Sequence, residues 1–105
     1  MSNRVRYITV PKNAKGIEEY EKGIEGTDNL FEIQLSDAEF MELATKGVFK
    51  DLNKKFSLLI DDYESEIVDA EKLKEYMANK TSENGNFFHA IEKAIEYNTF
   101  IALDF

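Results

Sequence analysis

The chain has 105 residues, 43% of them hydrophobic and 12% aromatic, which suits one packed core and excludes a disordered segment or two independent domains. Its formal charge of −8 opposes docking to nucleic acid or anionic lipid over most of the surface. It has no cysteine, which removes a disulfide framework, a thiolate metal site and a cysteine nucleophile together.

Residues 5–10 predict a strand, closed by Pro11, the only proline. Residues 12–28 hold Gly16, Gly23 and Gly26. Ile17, Tyr20 and Ile24 fall there at helical spacing, while the glycines argue equally for a long acidic loop. Both readings stay open. Phe31-Glu32-Ile33-Gln34-Leu35 alternates apolar and polar, as a strand with one wet face does. Ser36 and Glu39 then form a capping-box pattern at the head of a helix whose buried side is Phe40, Leu43 and Ala44. Gly47 ends or bends it, and Val48, Phe49 and Leu52 anchor a second short helix over residues 48–55.

Residues 56–60, Phe-Ser-Leu-Leu-Ile, read as a short interior strand. Asp69 is a good N-cap for a helix over 70–79, with Leu73, Tyr76 and Met77 on one face. Residues 80–85 form a polar turn. The clearest amphipath follows over 86–97, with Phe87, Phe88, Ile91 and Ala94 on one side and His89, Glu92, Lys93 and Glu96 on the other. Asn98 fits its C-cap, and residues 99–103 form a nearly continuous apolar strand. The expected fold is therefore one α+β domain over residues 1–105. It has about four strands in a mostly antiparallel or mixed sheet, with two to four helices on one face. The first and last strands are too apolar for lone edges, so they should lie inside the sheet or pair together.

Charge runs in blocks. Residues 1–15 carry four basic groups and no acid, and residues 16–45 carry nine acids against Lys22. Lys46, Lys50, Lys54 and Lys55 reverse the sign, and residues 56–71 then carry six acids and no base. The densest run is Asp61, Asp62, Tyr63, Glu64, Ser65 and Glu66, with Asp69 and Glu71 beyond. Such oxygen ligands suit Ca²⁺ or Mg²⁺, but Glu66 stands where an EF-hand needs glycine and Lys72 where it needs a bidentate glutamate. A solvated acidic loop is the better reading, and no metal or other cofactor is expected. Paired carboxylates could also act as acid and base, yet so many mutually repelling, solvated acids do not make the apolar wall that raises a carboxyl pKa. His89, the only histidine, has no partner motif and reads as a surface residue. The glycines match no phosphate-binding pattern. Arg4 and Arg6 share one face of the first strand and Tyr7 could stack a base, but internal pairing with the acidic blocks is the simpler use of those charges.

What remains is the acidic surface as the working part. Residues 17–32 and 61–71 interleave carboxylates with Tyr20, Phe31 and Tyr63. Carboxylates steer a basic partner and aromatics anchor it. In size and charge the chain resembles small bacterial toxin-immunity proteins, which implies binding without catalysis. The expected function is a non-catalytic, cytoplasmic protein-binding module for a basic protein, with Asp61, Asp62, Tyr63, Glu64 and Glu66 as the binding residues and no nucleic acid or membrane partner. A small regulatory or ligand-binding domain, or metal-dependent chemistry at Asp61 to Glu66, is the alternative.

Overall fold

The computed structural model describes residues 6–24, 26–58, 60, 65–78 and 85–105. Four strands form one sheet: β1 (Arg6–Pro11), β2 (Leu30–Leu35), β3 (Ser65–Asp69) and β4 (Phe100–Asp104), in the order β2-β1-β4-β3 with every pair antiparallel. The first and last strands are thus both central and paired to each other, as their apolar sequences require. Ile8 lies opposite Ile33 and Leu103, and Thr9 opposite Glu32 and Ala102. Since directly opposed residues share a face, these two triplets define the two sides of the sheet.

On the first side Ile8, Val10, Leu35, Val68, Ile101 and Leu103 are buried beneath helices. α5 (Asn86–Tyr97) lies across β1, β2 and β4 and buries Phe87, Phe88, Ala90, Ile91 and Ala94. α2 (Asp37–Thr45) and α3 (Val48–Phe56) bring Phe40 and Phe49, whose rings stack at 5.2 Å and both meet Phe105 edge-on. α4 (Ala70–Met77) follows β3 directly, with Asp69 accepting from the Lys72 amide. The Ser36–Glu39 capping box forms in both directions, at 3.1 and 3.2 Å. Asn98 takes the left-handed conformation that ends α5.

Two expectations need correction. The described residues of the 56–60 segment form no strand: Phe56 completes α3, whose apolar positions 48, 49, 52 and 56 keep the helical period, and Ser57 caps it in a left-handed conformation. The strand lies instead at Ser65–Asp69, inside the acidic run. It is an edge strand with only Val68 fully buried, so it needs no apolar alternation. Ile60 still enters the core, held by the Asn53 amide, which donates to its carbonyl at 2.9 Å and accepts from its N–H at 2.7 Å. Asn53→Ala should therefore cost about 1–3 kcal/mol for each buried backbone group left without a partner, read as a lowered thermal midpoint. A midpoint unchanged from wild type would show that the clip contributes nothing.

The second correction concerns the helices, which number five among the described residues and do not all lie on one face. The open question at residues 12–28 resolves as α1 (Ala14–Glu21), and it packs on the opposite side of the sheet. Asn13 caps it, accepting from the Gly16 amide at 2.8 Å. Gly23, with φ +76°, ends it in a Schellman turn: its amide donates to the Tyr20 carbonyl and that of Ile24 to the Glu19 carbonyl. Gly16 sits where the helix touches the β2 entry, closest to the Asn29 carbonyl and Pro11.

Candidate functional site

α1 covers only one end of the second sheet face. There Tyr20 meets Phe100 edge-on at 5.7 Å and Leu30 is buried. Beyond it the face lies open, and strand alternation places Tyr7, Thr9, Glu32, Gln34, Asp104 and Ile67 on it. Tyr7 is 42% exposed, Ile67 46%, and Ile24, just past the Schellman turn, 44%. A groove of about 420 Å³ runs between Tyr7, Thr9, Glu32 and Asp104. It continues into a smaller cavity of about 60 Å³ under Tyr20, Gly23 and Ile24. One water needs about 10–15 Å³ on the same measure, so even the cavity holds several.

The electrostatics of the groove are one-sided. Among the described residues neither Glu32 nor Asp104 forms an ion pair, and none that lines the groove is a cation. Glu32 Oε1 accepts from the Gly26 amide at 3.1 Å, and Asp104 Oδ1 from the Ser65 hydroxyl at 3.2 Å. Burial, and then the negative charge of Asp104, raise the Tyr20 phenol above the ordinary tyrosine pKa, so it remains a neutral donor.

Other acids are occupied within the fold. Glu19 accepts from the Thr27 hydroxyl at 2.7 Å and the Asn29 amide at 3.2 Å, fixing the loop from α1 to β2. Glu18 pairs with Lys22, Glu42 with Lys46 and Glu75 with Lys55. These exposed pairs add little stability, but they neutralise acid locally.

Asp61, Asp62, Tyr63 and Glu64, the binding residues expected from sequence, lie outside the described residues. Glu66 is half-buried in β3 opposite Leu103, on the helix-covered side, while its neighbours Ser65 and Ile67 lie on the open side of the sheet. Phe31 also turns to the helix side, edge-on to His89 at 5.5 Å, whereas Tyr20 lies at the groove. His89 is exposed, as expected. Arg6 does not share a surface with Tyr7: it is 5% exposed, paired with Asp37, and its guanidinium lies 3.9 Å from the centre of the Phe40 ring. Sequence reasoning missed Thr9, Tyr7 and Asp104 as parts of one site. The available signal was the wet face of β2, which carries Glu32 and Gln34.

A second cavity of about 60 Å³ lies between α2 and the start of α5. Its polar lining is already paired, Glu39 with Asn86 at 2.8 Å and Glu42 with Lys46, which leaves little for a ligand to gain. Among the described residues no cluster of three metal-ligating side chains occurs, and no helix is long and apolar enough to cross a membrane. Comparison with protein families, curated proteins and solved structures finds no match to this chain.

Proposed function

We propose that this protein is a non-catalytic binding module that captures a basic protein partner on the open face of its sheet, in the manner of a toxin-neutralising protein. The observation that carries this reading is the groove, where exposed Tyr7 and Ile24 flank two carboxylates that no cation balances among the described residues. Apolar side chains left exposed around a charged centre suit an interface, whose aromatic anchors supply affinity and whose charges set encounter rate and partner choice. The net charge of −8 extends the attraction beyond the groove.

Charge reversal at Glu32→Lys with Asp104→Lys tests this. Wild type and the double variant are used side by side to capture proteins from the native cell, and circular dichroism verifies that both are folded. A basic protein retained by wild type and lost by the variant is the expected result. Its association rate should also fall steeply as the Debye length shrinks from about 30 Å at 0.01 M salt to about 8 Å at 0.15 M. Identical capture by both proteins would overturn the groove as the binding face.

A further inference from the structure

The floor of the groove is polar and opens to water. Thr9 is only 7% exposed, yet among the described residues its hydroxyl has no hydrogen-bond partner. It lies at the junction of the groove and the cavity and lines both. The hydroxyl opens onto the groove, where water serves it, and a ligand that bonds to it takes the place of that water.

Three acceptors therefore converge from three strands. Glu32 on β2 stands opposite Thr9 on β1, and Asp104 on β4 stands opposite Tyr7, two residues away. Each carboxylate uses one oxygen internally, on Gly26 and Ser65, and has the second oxygen for an incoming donor. β2 and β4 flank β1 and the two positions are offset by two residues, so the carboxylates are anchored roughly 12 Å apart across the sheet. An ammonium is a compact point charge and serves one side of such a span. A guanidinium carries five donors in a planar fork, reaches acceptors on two sides at once and packs its plane against an aromatic face. Tyr7 and Tyr20 supply aromatic rings at the rim.

We propose that the Thr9 cavity is an arginine-recognition subsite, in which one partner guanidinium lies between Glu32 and Asp104 and donates to the Thr9 hydroxyl. This deepens the protein-capture reading and rests on it only for the source of the arginine.

Backbone amide spectra of the full-length protein, titrated with Nα-acetyl-arginine amide, its lysine counterpart and its neutral citrulline counterpart, provide the test. The expected result is saturable shifts at Thr9, Gly23, Glu32 and Asp104 with the arginine probe, weaker binding of lysine, and no saturation with citrulline. Thr9→Val keeps the shape and burial of the side chain. It should weaken arginine binding by about three- to tenfold, the worth of one hydrogen bond, and narrow the gap to lysine. Equal binding of lysine or citrulline, indifference to Thr9→Val, or no saturation by arginine would overturn the subsite. Loss of the partner from the charge-reversed variant without arginine saturation sinks the subsite alone. Arginine saturation with unchanged capture sinks the protein-capture reading and leaves the subsite standing.

Discussion

A chain ending at Asn98 should show no cooperative thermal transition. The seven residues removed contain all of β4, the one strand that pairs with both β1 and β3. Without it β3 loses its one partner among the described strands, and β1 retains β2 alone. Ile101, Leu103 and Phe105 are all buried, and Phe105 closes the aromatic cluster against Phe40 and Phe49. Each such side chain is worth about 1.5–3 kcal/mol on burial, so their loss is comparable with the whole stability of about 5–15 kcal/mol of a small domain. Thr99 is lost as well, with its hydroxyl bond to the Pro11 carbonyl and its carbonyl bond from the Ala70 amide. A featureless melt by circular dichroism is expected. A sigmoidal melt within a few degrees of the full chain would contradict the central position of β4.

The elements legible in the sequence are those whose signals are local. Ser36 with Glu39, Asp69 before Ala70 and the apolar stripe of residues 87–94 each satisfy their own backbone or face, whatever the rest of the chain does. β3 was not legible, because an edge strand with one buried residue is stabilised by backbone pairing to β4, a partner more than thirty residues away. The apolar string at residues 56–60 misleads for the complementary reason: Phe56 belongs to the period of α3, and Ile60 reaches the core through the Asn53 amide and not through a strand. The groove follows the same logic. Glu32 and Tyr20 lie in a segment whose acidity stands out, but Thr9 and Asp104 are separated by most of the chain. They become neighbours only because β1 and β4 pair, and strand order is not written in local composition. Density of charge along the sequence points to residues 61–66, while among the described residues lack of compensation in space points to Glu32 and Asp104.

Replacing Gly16 by alanine separates the packing of α1 from its helix propensity. Inside a helix this change normally stabilises by roughly 0.8–1 kcal/mol, because glycine loses more backbone freedom on folding. Here the added Cβ would lie 2.2 Å from the Asn29 carbonyl oxygen and 3.3 Å from the Pro11 Cβ. That carbonyl cannot simply yield: it accepts from the Lys12 amide at 2.9 Å, and the Asn29 side chain is bonded to Asn13 and Glu19. The helix must lift from the sheet, and overpacking of this kind costs about 1–3 kcal/mol or more. A fall in melting temperature of about 5–15 °C is expected, since 1 kcal/mol shifts a domain of this size by about 4–8 °C. α1 also carries Tyr20 and leads into Gly23 and Ile24, three walls of the cavity. Gly16→Ala should therefore weaken binding of the arginine probe even at temperatures where the variant is folded. Gly23→Ala is the informative control, because its Cβ meets nothing within 4 Å and its cost comes only from the left-handed φ of +76°. If Gly16→Ala melted at or above the wild-type temperature with the amide shifts of Thr9 and Glu32 unchanged, α1 would not be seated on the sheet, and the cavity would have no roof.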